Sequence, residues 1–333
     1  MATYNGGRYI GEQLESLADQ SHLPEELVVG DDGSTDGTLE ILEDFRERAP
    51  FPVRVQRNGE NLGYAQNFLS TAQRCKGDWI SFCDQDDVWL PNKLADVARA
   101  VARTPQSCMV LQNAWLCDKD LVSRNRKFPD FIRSGVYGQG TQYGFWVWPG
   151  FLKTIHSSTI NLLTGDEMPR SWFPRDGKLT HDKWTCLIAN AIGGIVVLDE
   201  PVALYRRHEA ALTGDFIEKT IGERVRQSRT VSADHYKFLA DVAADCAIYM
   251  KCLSDQTDSP KLALSLLNNS KDFHKLEKTQ RLRARLYLED RRFQRLLLFF
   301  AILYSSGYFG SPFTAMGSRS AVKDAVRVVL GAT

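Results

Sequence analysis

Two clusters of acidic residues follow two apolar segments of this 333-residue chain. The first cluster, residues 31–36 (DDGSTD), follows residues 27–29 (LVV), and the second, residues 84–87 (DQDD), follows residues 79–83 (WISFC). In open α/β sheets ligands bind outside the carboxyl ends of the strands, so both clusters are expected to open into one crevice. Placing so many carboxylates together is unfavourable unless a cation, a hydrogen-bond donor or a proton compensates their negative charge. A divalent metal that carries a phosphorylated ligand would supply such a cation.

The elements that position these clusters are predicted to alternate between strand and helix. Apolar residues recur at helical spacing after Ile10 and after Leu39, and strands are predicted near Leu27, Val53 and Trp79. Alternation at this length implies right-handed crossovers and an α/β fold, with a mostly parallel sheet and helices on both faces. The pattern breaks up between residues 115 and 179, which is typical of a binding region or a variable insertion.

The pattern resumes in the second half of the chain. A helix is predicted from His181, a buried strand over residues 195–198, and only helices beyond Thr220.

The composition is that of an ordinary globular enzyme. Lysine plus arginine equals aspartate plus glutamate at 41 each, so the net charge gives no indication of a nucleic-acid partner. The seven cysteines show no paired metal spacing and indicate reduced thiols in the cytosol rather than a disulfide framework. No signal peptide is visible, and no stretch reaches the roughly 18 apolar residues of a membrane span. We therefore expect a cytoplasmic protein.

The beginning of the sequence resembles a truncated strand. Residues 1–7 (MATYNGG) are typical of the end of a strand that runs into a turn, followed at once by a helix. A parallel sheet with this order normally places its first strand centrally, between the strands at Leu27 and Trp79. We therefore expect about five to ten further residues, rich in Val and Ile, before Met1. The alternative is that Met1 opens a short polar arm.

Five sequence segments occur together in a familiar order. They are ATYNG at 2–6, DDGSTD at 31–36, NLG at 61–63, GDWI at 77–80 with DQDDVW at 84–89, and HD at 181–182 before YRRH at 205–208. Together they resemble inverting family 2 glycosyltransferases of the nucleotide-diphospho-sugar type, in the rhamnosyltransferase-like branch. One Asp-rich turn is a weak signal, but five segments in order are a strong one. The resemblance implies a GT-A-like catalytic domain over residues 1–219, with residues 220–333 as a helical C-terminal region.

The resemblance also implies where the nucleotide binds. Family members hold the base against the first strand–helix turn, here Ala2, Thr3 and Tyr4, and hydrogen-bond it from the second aspartate of the DDGS turn, here Asp32. A carboxylate is a suitable acceptor for the imide N–H of a pyrimidine, and its charge strengthens the bond. For the nearby Asp36 the competing interpretation is that it caps the following helix.

By the same resemblance, the second acidic cluster is a metal site. Asp86 would bind Mg²⁺ or Mn²⁺, Asp84 would face the ribose or a metal-bound water, and His208 would complete the site. Hard cations prefer oxygen ligands, and a bound ion would stabilise the departing nucleoside diphosphate. Arg206 and Arg207 could pair with that diphosphate. The competing interpretations are a solvated acidic loop and a surface histidine in a basic loop.

The same resemblance assigns the catalytic base to Asp182. An inverting transfer needs one carboxylate to take the proton of the acceptor hydroxyl. Asp182 lies in the first turn of a predicted helix, where the helix dipole favours an ionised carboxylate. The competing interpretation is that it only stabilises the helix, by about 0.3–1 kcal/mol.

The function implied is inverting, metal-dependent transfer of a sugar, with rhamnose as one candidate, from a UDP- or dTDP-sugar. The acceptor would be a saccharide or a lipid-linked saccharide in bacterial surface polysaccharide assembly. The alternative is a nucleotide-sugar-binding protein without catalysis, or a membrane-bound assembly partner. A nucleotidyltransferase is disfavoured because the sequence has no Gly-rich, basic N-terminal loop.

The C-terminal region suggests contact with a membrane. Residues 274–295 are dense in lysine and arginine, and they run into residues 296–304 (LLLFFAILY). This pattern predicts an interfacial helix attracted to anionic lipid at the inner face of the cell membrane. The apolar run is too short to span a bilayer. The alternatives are a hairpin packed on the catalytic domain and a dimer contact.

Overall fold

The N-terminal part of the chain alternates strands and helices, as predicted. The computed structural model describes residues 1–129, 133–162, 168–172, 177–209, 231–305 and 307–330. A parallel three-stranded sheet has the order β1 (Ala2–Thr3), β2 (Leu27–Asp31), β3 (Val53–Arg57). The intervening helices are α1 (Ile10–Ala18), α2 (Thr38–Arg48) and, after β3, α3 (Tyr64–Gln73).

The burial pattern follows from the sequence. All five residues of β2 are buried, because this strand lies between β1 and β3. Along β3 exposure increases from Val53 to Arg57, as expected for a strand at the edge of a sheet. Helix α1 buries Ile10, Leu14 and Leu17 on one face, at the spacing of one helical stripe.

A second, seven-stranded sheet contains the rest of the strands in the described ranges. Its main path runs β4, β9, β6, β10, β5, with β7 paired to β6 and β8 to β10. The strands are β4 (Trp79–Ser81), β5 (Val88–Trp89), β6 (Met109–Cys117), β7 (Ser123–Phe128), β8 (Gly135–Tyr137), β9 (Lys153–His156) and β10 (Ile195–Arg206). The helices are α4 (Lys93–Arg103), α5 (Ser157–Ile160) and α6 (His181–Ile192).

Strand direction differs between the two sheets. The first sheet and the β6–β10 pair are parallel, whereas the other pairings of the second sheet are antiparallel. The expectation of a mostly parallel arrangement therefore describes only part of the fold. Within residues 109–156 strands β7 and β9 are reached through loops, and antiparallel neighbours need no helical crossover. The remaining antiparallel pairings are those of β10 with β5 and β8.

The two sheets are separated at the position expected for a central first strand. Strand β1 pairs with β2 through Ala2 and Thr3, whereas β4 pairs with β9. Between β2 and β4 lies a cavity of about 470 Å³ lined largely by apolar side chains, among them Met1, Phe68 and Ile80. Strand β1 has two residues, so it does not join the sheets into one.

The C-terminal region is helical, as predicted. Helices α7 (Ala233–Gln256) and α8 (Pro260–Leu288) form a long hairpin, followed by α9 (Arg292–Tyr304) and α10 (Gly317–Leu330). The hydrophobic core continues from the sheets into α7 and α8, and the Trp184 indole donates a 2.9 Å hydrogen bond to the Tyr249 hydroxyl. The predicted domain boundary at residue 219 lies outside the described residues. In the described ranges, no helix combines the length and apolarity needed to cross a membrane.

Candidate active site

The first acidic cluster is built around a fully buried carboxylate. Asp31 ends β2, and its side chain accepts hydrogen bonds from the Gly33 and Ser34 amides at 3.1 and 3.0 Å and from the Thr3 hydroxyl at 3.0 Å. Gly33 has a φ of +92°, a conformation that side chains disfavour. The charge of Asp31 is thus compensated by hydrogen-bond donors of its own turn and of β1, and Asp31 fixes the shape of that turn.

Asp32, the predicted partner of the base, is 3% exposed. One carboxylate oxygen accepts from the Leu62 amide at 2.8 Å and from the Asn58 side chain at 3.0 Å, and the other accepts from the Gly63 amide at 2.8 Å. In the structure Asp32 therefore ties the loop that contains Asn61, Leu62 and Gly63 to the end of β2. A base contact would use a remaining lone pair of Oδ2.

The segment after β1 joins the two acidic clusters. The Tyr4 amide donates to the Gln85 side chain at 3.0 Å, and Gln85 donates back to the Tyr4 carbonyl at 3.1 Å. On the other side, the Asn5 amide donates to the Ser34 hydroxyl at 2.9 Å. Both clusters thus contact the same short segment, residues 4–5.

The three residues predicted to hold the base differ in accessibility. Ala2 and Thr3 are buried, and the Thr3 hydroxyl is bound to Asp31. Only the Tyr4 side chain, which is 53% exposed, faces open space. Asp36 accepts from the Gly7 amide at 3.0 Å and the Thr38 amide at 3.1 Å, but the N-cap of α2 is Gly37, so Asp36 braces the turn before the helix and is not its cap.

The second acidic cluster lacks comparable partners. Carboxylate oxygens of Asp84, Asp86 and Asp87 lie within 4.8 Å of one another. Asp87 is fully buried, one oxygen accepts from the Arg206 amide at 3.0 Å, and the other has no hydrogen-bond partner among the described residues. Burial, reinforced by the neighbouring carboxylates, raises the pKa of both Asp84 and Asp87. The sequence analysis gave no role to Asp87, although its place directly beside Asp86 was a usable signal.

The predicted metal ligands Asp86 and His208 are brought together. The Nε2 atom of His208 lies 2.9 Å from Oδ2 of Asp86, although the two residues are 122 positions apart. The His208 ring also packs beside the Tyr9 ring, with the ring centroids 4.7 Å apart. His208 is thus part of the acidic cluster and not an isolated residue of a basic loop.

This set of side chains fits a divalent cation. Carboxylate oxygens suit Mg²⁺ and Mn²⁺, and an added imidazole favours the transition metal. The unpartnered buried oxygen of Asp87 and the crowding of three carboxylates are the features that a cation would relieve.

Arg206 does not have the role that the sequence suggested. It is 3% exposed, and its guanidinium donates to the carbonyls of Asp86 and Lys119 at 2.7 and 2.8 Å and to the Glu12 carboxylate. It also lies over the Tyr9 ring, 4.5 Å from the centroid. Arg206 therefore fixes the acidic loop from behind and is not directed at a diphosphate. A pattern of residue types cannot distinguish a buried arginine from an exposed one.

Arg207 is also buried, and its guanidinium donates to the Tyr205 hydroxyl at 2.6 Å. The structure gives this residue a local structural contact in place of the predicted diphosphate contact.

Asp182 lies in the first turn of α6, where it was predicted. Its Oδ1 atom is buried without a hydrogen-bond partner among the described residues. Burial alone would raise the pKa of Asp182, but the neighbouring His181 and the Lys153 cation outweigh it, so this pKa is lowered. The charge of Asp182 in turn contributes to the raised pKa of Asp84, which places both residues in one electrostatic environment.

Lys153 is a supporting residue that the sequence analysis missed. It is fully buried in β9, and its ammonium donates to the backbone carbonyl of Asp182 and, at 3.1 Å, to the Thr185 hydroxyl. It therefore fixes the first turn of α6. The region around β9 showed no periodic pattern in the sequence, so no signal there indicated this contact.

His181 faces the protein interior. Its ring stacks on Phe68 at 4.2 Å and lies 5.2 Å from the Phe82 ring. Burial lowers the pKa of His181 to about 4, so the imidazole is neutral at neutral pH.

Comparisons with known proteins show which family and which fold this chain resembles. Residues 1–158 match the family model described as Glycosyl transferase family 2. An uncharacterized protein of Mycobacterium tuberculosis is 26% identical over 209 residues, which cover 62% of this chain and 57% of that protein. The dTDP-rhamnosyl transferase RfbG of Shigella flexneri is 34% identical over 118 residues, which cover 34% of this chain and 38% of that protein. The chain thus spans less than two thirds of the length of either relative.

A solved structure shares the fold. The S. aureus TarS fragment 1–349, solved in complex with UDP-GlcNAc, has a TM-score of 0.53 and 20% sequence identity, covering 91% of this chain and 86% of that one. At this identity the likeness shows the fold alone, and it confirms the α/β, GT-A-like architecture with a helical C-terminal region. The family match and the named relatives identify residues 1–158, just under half of the chain, as a glycosyltransferase family 2 domain.

Proposed function

We propose that this protein transfers a sugar from a UDP- or dTDP-sugar to a saccharide acceptor, with inversion at the anomeric carbon and with a divalent cation. The observation that carries the proposal is the meeting of Asp86 and His208, 2.9 Å apart, beside Asp84 and Asp87. These residues come from distant parts of the chain, and the charge of Asp182 acts on the same cluster. A solvated acidic loop would not be expected to gather them.

The proposed base is Asp182. Its lowered pKa keeps the carboxylate ionised at neutral pH, and its Oδ1 atom is free of protein hydrogen bonds among the described residues. In the transfer, the acceptor hydroxyl oxygen bonds to the anomeric carbon while its proton passes to Asp182. The bond between that carbon and the phosphate oxygen breaks, and its electron pair leaves with the nucleoside diphosphate. Lys153 holds the turn that presents the carboxylate.

The proposed metal ligands are Asp86 and His208, with Asp84 and Asp87 close enough to contribute. When bound, a divalent ion supplies positive charge that stabilises the leaving diphosphate. Arg206 keeps this loop in place through the Asp86 carbonyl and the Asp87 side chain.

The base of the nucleotide is proposed to lie at the segment of Ala2, Thr3 and Tyr4, with Asp32 as its hydrogen-bond acceptor. Support comes from the exposed Tyr4 side chain and from the single described hydrogen bond at Asp32 Oδ2. This assignment predicts a preference for uracil or thymine over adenine and cytosine, because only the former two present an imide N–H to a carboxylate.

Rhamnose is the first candidate for the sugar, because the Shigella relative is named a dTDP-rhamnosyl transferase. The acceptor is proposed to be a saccharide or a lipid-linked saccharide in the assembly of a bacterial surface polysaccharide. For a lipid-linked acceptor the protein would work at the inner face of the cell membrane.

The rival proposal is a protein that binds a nucleotide-sugar without catalysis. The ionised carboxylate of Asp182, whose Oδ1 atom has no hydrogen-bond partner among the described residues, favours catalysis, because a binding protein needs no base at that position. The two are separated by incubating the chain with a labelled donor, a set of saccharide acceptors and Mn²⁺. Net transfer supports the enzyme, whereas tight donor binding without transfer or hydrolysis supports the rival.

The decisive test combines donor binding with stereochemistry. Calorimetric titration with UDP- and dTDP-sugars, with and without Mn²⁺, should show binding that depends on the metal. Proton NMR of the product should then show an anomeric configuration opposite to that of the donor. Binding that ignores Mn²⁺, or a product that retains the donor configuration, would contradict the proposal.

A further inference from the structure

The last two helices each carry an exposed apolar stripe opposite the face that they bury. On α9 the buried side consists of Arg295 and Ile302, whereas Phe293, Leu297, Phe300 and Tyr304 are exposed at helical spacing. Phe293 is 70% exposed and Tyr304 is 94% exposed. Contiguous apolar side chains of this size on a surface mark a site of interaction.

Helix α10 repeats this arrangement. Val322, Val326 and Val329 are exposed along one stripe, while Asp324 and Val328 are buried on the opposite side. The two helices pack on each other. We call the exposed apolar side chains of α9 and α10, together with the basic side chains beside them, the C-terminal surface.

The orientation of the two helices is fixed by a buried polar network. The Asp324 carboxylate accepts from both sides of the Arg283 guanidinium at 2.7 and 2.9 Å and from the hydroxyls of Tyr287 and Tyr308 at 2.9 and 2.8 Å. Because these donors belong to α8 and to the segment before α10, the network locks α10 against the hairpin. The apolar stripe of α10 is therefore held outward by satisfied polar contacts.

Within residues 291–333 the exposed charges have one sign. Residues 291–333 contain six lysines and arginines but a single acidic residue, Asp324, which is buried in the network just described. Arg291, Arg292 and Arg319 are exposed, and Lys323 and Arg327 are partly exposed. The nearest preceding acids, Glu289 and Asp290, come before α9 begins.

This combination distinguishes between two possible occupants. In a two-fold dimer the same patch faces itself, so the basic side chains would meet the partner's basic side chains. A membrane with anionic headgroups instead offers negative charge at the rim and acyl chains for the apolar stripes. Charge complementarity therefore favours the lipid surface.

We propose that the C-terminal surface docks this protein on an anionic lipid bilayer, with the stripes of α9 and α10 inserted at the headgroup level. The contact is peripheral, because α9 has 13 residues and is too short to span. The inference deepens the proposed function, since docking would bring the active site to a lipid-linked acceptor. It rests on surface chemistry alone, so it can be tested separately from catalysis.

The test is sedimentation of the full chain with vesicles, either of phosphatidylcholine alone or of phosphatidylcholine with phosphatidylglycerol. The parent should pellet with the anionic vesicles only, and added salt should weaken this binding. The double substitution Leu297→Ser and Phe300→Ser should weaken vesicle binding by about tenfold or more, because apolar insertion is lost. The matched control is Ile248→Ser with Leu264→Ser, two exposed apolar side chains on α7 and α8, which should bind like the parent.

A second pair of variants tests the charge. The double substitution Arg291→Gln and Arg292→Gln should weaken binding by about twenty-fivefold and reduce its salt dependence, because each cation near the surface contributes about fivefold. Lys271→Gln with Lys278→Gln on α8 is the matched control and should change little.

Three results would overturn the inference. The parent could stay in the supernatant with anionic vesicles, or the C-terminal variants could bind like the parent. Light scattering could instead show that the parent is a dimer and that the double variant Leu297→Ser and Phe300→Ser is a monomer. That result would assign the C-terminal surface to contact with a second copy of the chain. In every case transfer to a soluble acceptor should be unchanged by these variants, so a failure of catalysis and a failure of docking are separable.

Discussion

The two acidic clusters look alike in the sequence but differ in the groups that compensate their negative charge. In the first cluster Asp31 and Asp32 accept hydrogen bonds from backbone amides and neighbouring side chains. In the second, Asp84, Asp86 and Asp87 face one another, and one buried oxygen of Asp87 has no partner among the described residues. The described residues compensate the charge of the first cluster, whereas they compensate that of the second cluster only in part.

This difference separates a structural carboxylate from a functional one. A carboxylate that accepts several amide hydrogen bonds stabilises its turn, and its loss should affect folding. A carboxylate crowded by others destabilises the free protein and is retained where it binds something. Substitutions in the two clusters should therefore act on different properties.

The largest effect is expected for Asp86→Ala. Because Asp86 contacts His208 and is the proposed metal ligand, this variant should lose metal-dependent donor binding and all measurable transfer. Asp84→Ala should be less severe, because its contact is expected to be indirect. Calorimetry with donor and Mn²⁺, together with a transfer assay, measures both. Transfer at the parent rate by Asp86→Ala would remove the distinction between the clusters.

The next largest effect is expected for Asp182→Asn. The amide keeps the shape but cannot accept the proton, so the transfer rate should fall by roughly two to four orders of magnitude. Donor affinity should change little, since Asp182 acts on the acceptor. A parallel loss of affinity and rate would mean that Asp182 supports the fold of the site instead.

A pair of stability measurements sharpens the comparison. Asp31→Asn should lower the free energy of unfolding by about 2–4 kcal/mol, because a buried acceptor of several hydrogen bonds loses its charge. Asp87→Asn should raise it by about 1–2 kcal/mol, because repulsion among buried carboxylates is relieved while the bond from Arg206 is kept. Urea denaturation of the metal-free protein measures both. Destabilisation of equal size by both substitutions would contradict the distinction.

The stabilisation by Asp87→Asn should depend on pH. The pKa of Asp87 is raised in the folded protein above its unfolded value of about 3.9. Between these two pKa values the native state binds more protons than the unfolded state. The native state therefore loses stability as pH rises through this range. The advantage of Asp87→Asn should be absent near pH 3.5 and grow towards pH 8. The difference between variant and parent removes the contributions of His181 and Lys93, whose lowered pKa values act in the opposite direction, but it includes Asp84, whose raised pKa acts in the same direction and whose charge acts on Asp87. A difference that is constant with pH would argue that Asp87 is not the titrating group.

Much of the site could be predicted from the sequence because its parts follow strand ends. The positions of Asp31, Asp86 and Asp182 follow from apolar segments and helix periodicity, and the resemblance to a family placed His208 near Asp86. The helical C-terminal region was equally predictable from its composition. These features are local, or belong to motifs with a fixed order.

The remainder depended on contacts that residue types do not encode. The antiparallel part of the second sheet lies where the sequence shows no alternation, so β7 and β9 and the role of Lys153 were missed. Arg206 was assigned to a ligand, but it is buried behind the acidic loop. Asp32 was assigned to the base alone, although it also ties down the loop from Asn58 to Gly63. Each case turns on which groups are buried, and burial is set by the whole fold.

The most direct test is to locate the metal itself. Crystals grown with Mn²⁺ and UDP should be recorded at the manganese absorption edge. We predict a single anomalous peak bonded to the Asp86 carboxylate and to Nε2 of His208, with the diphosphate on its open side. A peak at residues 31–36, or no peak at Asp86 with UDP bound, would contradict the claim that the second cluster is the metal site.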